Sequence, residues 1–387
     1  MKKNKITSNL FSIMYLSYSF GYILIPETIN EIILVFSILA LLLTSIKRKV
    51  IFNIKIFLMT LFIIIQIIGL LYTTNVNGGM TFLTSLIILL LIMIFNTNSN
   101  ESIKISLKYI FLFSLFASLS VVLHPIIPNL LSNIRNSFTT DSNLVILNNI
   151  DMTKGMYGGI FPDRASAAFY ASLLILLSSS EFITAKKSGS LVFLAIGITS
   201  LLLTGKRGPL IAVLLSLVII VFFFNPKKIS KKHTVLLFFS ISLMIITMLL
   251  TGIGDKIISS FFTNDDLSSG RFDIYITLFK DFIRKPMMGF GTRSTIVDLG
   301  IGGHNDYLTI LRDNGIIGFV VYLLLLSTMV IECIKVKSMT TFNVFKFLLL
   351  FFFLSYSFVG NPLFDVYIVF IVFYVVAPNN NLNRSQQ

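Results

Sequence analysis

Twelve apolar segments, spread from one end of the chain to the other, constrain its fold more than any other feature. They lie near residues 9–25, 32–46, 56–72, 79–95, 106–123, 166–184, 189–204, 209–224, 234–252, 315–333, 344–359 and 362–377. A helix needs ~20 residues to cross the hydrocarbon core, and the shorter runs here suit tilted or partly buried helices. Lipid offers a backbone no hydrogen-bond partner, so such runs must be helices. The 387 residues then form one all-helical membrane domain, 1–387, with too little chain left over for a separate catalytic domain. Charged residues make up 12% and the mean hydropathy is +0.88. A soluble domain is roughly a quarter charged, so a soluble globular enzyme and a disordered chain are both excluded. A single-span receptor is excluded by the spread of the runs. The one cysteine, Cys333, permits neither an intrachain disulfide nor a cysteine metal site. The basic start, Met1 to Lys5, imitates a signal peptide, but no small-residue cleavage site follows, so a retained first helix is expected.

The net charge of +14 is explained by topology. With the N-terminus inside, the inner segments hold nineteen basic residues and three acidic ones, Glu101, Glu181 and Glu332. The outer segments hold twelve basic and fourteen acidic residues. That is the positive-inside bias, and it needs no nucleic-acid partner. Both termini are then cytoplasmic. Two connections are long, 124–165 and 253–314, and both fall outside, so the chemistry is expected on the outer face. The tail from Asn379 to Gln387 is polar and is read as disordered.

Four stretches carry residues able to do chemistry. In the second long loop, Ser269-Gly270 leads into Arg271, after which Phe272, Tyr275, Leu278, Phe279, Phe282 and Ile283 recur at helical spacing until Pro286. This predicts an amphipathic helix lying against the membrane surface. Arg271 at its start opposes the helix dipole; a ligand would explain that placement, and so would a solvated cap-region arginine. Gly289-Phe290-Gly291-Thr292-Arg293 and Gly300 to Leu308 follow. A helix is expected to start around His304 and to end at Gly315, with the dipole keeping the imidazole neutral and able to accept a proton. A solvated surface histidine is the plain alternative. Thr204-Gly205-Lys206-Arg207-Gly208 links two spans on the outer face, where a Lys-Arg pair runs against the topology bias. It suits either snorkelling to lipid phosphates or an anion site. Arg164, after Gly158 to Asp163, also meets the outer boundary. Arginine grips phosphate oxygens in bidentate fashion with a permanent charge. A pyrophosphate attached to a lipid would suit this set. No Walker loop, dinucleotide fingerprint or metal-spaced His/carboxylate cluster is present in the sequence, so an activated substrate rather than ATP would supply the energy.

In order and placement these stretches resemble the O-antigen polymerase/O-antigen ligase superfamily of bacterial membrane glycosyltransferases. The matching residues are Thr204 to Gly208, Ser269 to Tyr275 and Pro286 to Gly291. His304-Asn305-Asp306-Tyr307-Leu308 follows, with Leu311, Asn314, Gly315 and Gly318. Gly159 to Ala165 resembles the segment ahead of the middle spans, with Arg164 where family members often have a polar residue such as asparagine. The resemblance implies a GT-C-like fold and a donor glycan carried on undecaprenyl pyrophosphate. It further implies Arg207 and Arg271 as pyrophosphate ligands, His304 as the base, and no metal or cofactor. Arg164, Lys206, Arg293, Asn305 and Tyr307 are the expected substrate-binding residues.

The activity expected first is polymerisation of lipid-linked repeat units into O-antigen or capsular-type polysaccharide, because the long 124–165 loop could hold a second lipid-linked glycan. A ligase, moving finished glycan to an acceptor such as lipid A–core, shares the motifs. A flippase or secondary transporter should carry ionisable residues at mid-membrane, and these span interiors are nearly free of them. The expected partners are the lipid-linked glycan, the bilayer of the bacterial inner membrane and a chain-length regulator, with no nucleic acid.

Overall fold

The computed structural model describes residues 2–22, 24–45, 52–95, 100–138, 142–185, 187–223, 270–336 and 338–377. The expected span 234–252 and the 253–269 part of the second loop lie outside the described residues. Within them, all regular secondary structure is helical.

The helices are α1 (Lys2–Gly21), α2 (Glu27–Ser45), α3 (Ile54–Leu70), α4 (Val76–Phe95) and α5 (Asn100–Leu123). Next come α6 (Pro128–Phe138), α7 (Ser142–Thr153), α8 (Arg164–Ala185), α9 (Ser190–Leu203) and α10 (Arg207–Phe223). The remainder are α11 (Arg271–Arg284), α12 (Ser294–Leu299), α13 (Asp306–Lys335), α14 (Thr341–Tyr356) and α15 (Val366–Val376). Four described helices are long and apolar enough to cross a membrane, at 76–95, 101–123, 164–185 and 306–335, and six shorter ones are apolar.

The packing follows the sequence. α8 begins with small residues, Ala165-Ser166-Ala167-Ala168, and is buried along most of its length. Small side chains let neighbours approach closely in lipid, and α5, α9, α10 and α14 all pack on α8. Its hydroxyls turn inward: Ser172 donates to the Ala168 carbonyl and Ser180 to the Leu176 carbonyl, both at 2.7 Å. With α14 and α15, α8 forms the bundle's centre. At the periphery, α2 exposes Ile29, Ile32, Phe36, Leu39 and Leu43 at helical spacing. A helix whose outward stripe is aliphatic faces lipid, since a soluble one would carry charge there.

The first long loop holds two short helices, α6 and α7, and the second contains α11 and α12. The helix expected to end at Gly315 continues instead to Lys335 through a break at that residue (φ 63°, ψ −169°). A side chain at Gly315 would strike the backbone of Met287 and Met288. The Pro286–Gly291 segment crosses there and fills the interrupted ladder. Phe290 N–H donates to the Arg312 carbonyl (3.1 Å), Gly291 N–H to the Asp313 carbonyl (2.8 Å), and Ile316 N–H to the Pro286 carbonyl (2.8 Å). The part of α13 beyond the break is about 30 Å long at ~1.5 Å per residue, a membrane thickness. α14 keeps the length of its apolar run but starts and ends three residues earlier, and α15 is shorter than its run suggested. Residues 357–365 are a connection that folds back over the end of the bundle.

Candidate functional site

The 357–365 connection gathers the residues that the sequence reading singled out. Arg271, first residue of α11, donates from Nη1 to the Val359 carbonyl at 3.0 Å. Tyr275, one turn on, shares its hydroxyl between the carbonyls of His304 (2.9 Å) and Phe358 (3.3 Å). Asn305 donates from Nδ2 to the Phe358 carbonyl at 3.1 Å, and Asp306 N–H bonds the Ser357 carbonyl at 2.9 Å. The buried Asp306 carboxylate accepts from Ser357 Oγ (2.8 Å) and from Leu363 N–H (3.0 Å). Gly208, beside Arg207, lies so close to Val359 and Tyr356 that a Cβ there would sit 3.1 Å from Val359 Cγ2. The turns bearing Arg207, Arg271 and His304 therefore dock on one short segment.

The helix expected at His304 begins two residues later, at Asp306. Asn305 is its N-cap, its Oδ1 accepting from Leu308 N–H at 3.0 Å. His304 stands outside the helix in left-handed backbone (φ 50°), a conformation rare for a residue with a side chain. Its ring is half-buried and makes no hydrogen bond to the described residues. The ring does resist protonation, as expected, but the causes differ from the dipole argument: burial first, then the charges of Arg271 and Lys206.

Lys206 lies in the turn between α9 and α10, in the joint field of Arg164, Arg271, Asp163 and Asp151, and burial lowers its pKa. Its ammonium has no hydrogen-bond partner among the described residues. Arg207 feels the charge of Arg271. Lys206, Arg207, Arg271 and His304 thus form one cationic cluster.

The other expected ligands are otherwise engaged. Arg164 pairs with Asp151 (Nε to Oδ2, 2.6 Å) and donates from Nη1 to the Thr204 carbonyl at 2.9 Å. It therefore ties the first long loop to the Lys206 turn. Tyr307 donates to the Leu354 carbonyl at 3.0 Å. Arg293, in left-handed backbone (φ 60°), stacks on Phe364 with its guanidinium carbon 4.4 Å from the ring centre. It faces Asp313, Asp365 and Asp306 rather than the cluster, and burial lowers its pKa.

The sequence reading missed Arg312. It is 2% exposed and salt-bridged to Asp298 (2.7 Å), Asp281 (3.0 Å) and Asp313 (3.2 Å). It also donates to Ser294 Oγ at 2.8 Å and lies on the Phe290 ring. It clamps α11 and α12 to α13. The 357–365 segment was missed too.

These features define a helical membrane protein with a cationic, histidine-bearing cluster at one end of its bundle. Residues 192–323 match the family model described as O-antigen ligase. This agrees with the resemblance to the O-antigen polymerase/ligase superfamily and supports an enzyme of that type. The matched range takes in Lys206, Arg207, Arg271, Arg293, His304, Asn305 and Tyr307, and leaves out Arg164 and the 357–365 segment. No curated protein and no solved structure matched the chain.

Proposed function

We propose that this protein is a glycosyltransferase that polymerises undecaprenyl-pyrophosphate-linked repeat units into O-antigen or capsular-type polysaccharide. It would work at the periplasmic face of the inner membrane, with twelve crossings and both termini cytoplasmic. The observation that carries this reading is the cationic cluster. Lys206, Arg207 and Arg271 converge beside a neutral histidine whose ring has no partner among the described residues.

In the reaction the bond between the donor sugar's anomeric carbon and the pyrophosphate oxygen breaks, and the electron pair leaves with the pyrophosphate. Arg207 and Arg271 hold the oxygens where that charge grows, and Lys206 adds a third positive charge. Preorganised donors of this kind contribute ~10²–10³-fold each. An acceptor hydroxyl forms the new bond to the anomeric carbon, and His304 takes its proton, worth ~10²–10⁴-fold. Arg164 and Asn305 act by positioning: one fixes the Lys206 turn, the other caps the helix behind His304. Tyr307, bonded to the Leu354 carbonyl, and Arg293, beside Asp365, would act on substrate only from outside the cluster. A chain-length regulator would be a further partner.

A ligase passing the glycan to a terminal acceptor is the second reading, favoured by the description of the family model. The test uses purified protein in nanodiscs, given lipid-linked repeat units with EDTA and no nucleotide. A product ladder that His304→Ala abolishes supports the polymerase. A single transfer, seen only with a terminal acceptor present, supports the ligase. No transfer under either condition overturns both.

A further inference from the structure

At the opposite end of the bundle from His304, four helix ends converge: the starts of α3 and α14 and the ends of α13 and α15. Lys55, 1% exposed, donates from Nζ to Glu332 Oε2 at 2.6 Å and to the Ala377 carbonyl at 2.9 Å. Lys346, 3% exposed, lies in the field of Lys55, Glu332 and the Cys333 thiol. Its ammonium has no hydrogen-bond partner among the described residues. Two buried lysines therefore share one carboxylate.

Among the described residues, no second carboxylate acts on Lys346. On the expected topology, this end of the bundle holds Glu101, Glu181 and Glu332 alone. Glu101 is exposed at the start of α5. Glu181 accepts from Ser190 Oγ at 3.2 Å, at the α8–α9 turn. Segments 46–51, 96–99, 224–233 and 378–387, with Lys186 and Lys337, contain no Asp or Glu. An ammonium buried without an anion is strongly disfavoured.

We propose that Lys346 and Lys55 form a phosphate-binding site at the cytoplasmic boundary, filled by the headgroup phosphate of an anionic inner-leaflet lipid. Glu332, 39% exposed, marks its open edge. Lysine binds phosphate as a point charge, and basic pockets between helices on the cytoplasmic side suit anionic headgroups. The site does not depend on the glycosyl-transfer chemistry, and its cytoplasmic side rests on the topology proposed above.

The test follows thermal unfolding of the full chain in detergent, with a thiol-reactive dye reporting exposure of the buried Cys333. Phosphatidylglycerol should raise the wild-type midpoint by several degrees relative to phosphatidylcholine, as a ligand of the native state does. Lys346→Met should lose that increment and Lys346→Arg should keep it. If inorganic phosphate alone reproduces a Lys346-dependent shift, the anion is soluble and the phosphate chemistry stands. If Lys346→Met does not fold, native mass spectrometry of the wild-type and Lys346→Arg proteins should show retained phosphatidylglycerol. A shift undiminished in Lys346→Met, no shift or retained lipid in the wild type, or loss in Lys346→Arg overturns the proposal.

Discussion

Two groups of arginines stand within the second long loop and its neighbours, and they are wired in opposite ways. Arg312 is buried against three carboxylates, two hydroxyls and an aromatic ring. Arg271 has one described hydrogen bond, to a carbonyl, and its neighbours include the cations Lys206 and Arg207 and the neutral ring of His304. A cation surrounded by anions holds helices together. A cation surrounded by cations is held in place by its helix and turn and keeps its charge available to something that is not protein. The difference sorts the basic residues of this face better than exposure does. Arg164, paired with Asp151, falls with Arg312 despite its partial exposure.

The contrast predicts a separation of effects. Arg312→Met leaves Asp281, Asp298 and Asp313 without their shared counter-charge in a mostly dry site. Breaking such a buried network from one side costs about 3–5 kcal/mol, so the variant should unfold at markedly lower temperature or denaturant. A variant as stable as wild type would show that the carboxylates are solvated and the clamp is absent. Arg271→Lys should behave in the reverse sense. Stability should change little, because lysine keeps the charge and α11 carries its own contacts to α13. Transfer should fall by ~10²–10³ even though the charge is kept, because lysine lacks the fork that grips two phosphate oxygens at once. The initial rate of transfer at saturating donor checks this. Near wild-type turnover would make Arg271 a field charge and remove the bidentate role.

The same contrast explains what could be read from the sequence. The helical class, the positions of most apolar helices and the α11 amphipath follow from periodicity and length, which are local. Lys206, Arg207, Arg271 and His304 were legible as types out of place, and the structure brings all four together. The start of α13 was legible in principle. Asparagine is a favoured N-cap and aspartate suits a first turn, so Asn305-Asp306 marks a helix beginning just after His304. Arg312 was not legible, because its partners Asp281 and Asp298 lie thirty-one and fourteen residues away and meet it only through tertiary folding. The 357–365 segment left a partial trace. Asn361-Pro362 is a turn signal between two apolar runs, but nothing local shows that its carbonyls anchor Arg271, Tyr275 and Asn305.

The smallest effect concerns the proton on His304, and it tests whether the cations are felt as a group. Burial, Arg271 and Lys206 all disfavour the imidazolium, so the native state binds that proton less readily than the unfolded chain, whose histidine titrates near 6.5. The sign follows. Between the ordinary histidine value and the lowered native one, the unfolded chain holds more protons. This group's contribution to stability therefore falls as pH drops through that window. In the proposed reaction the neutral ring takes the acceptor proton, so the acid limb of kcat/KM should lie below the ordinary histidine range. Lys206→Met removes one of the two charges and should move that limb toward higher pH, part of the way back, because burial remains the first cause. Arg271→Met should move it the same way, and further, since Arg271 acts on the ring more strongly than Lys206. Limbs that coincide in wild type and both variants would mean that His304 does not sense the cations, and the cluster would then divide into unrelated parts.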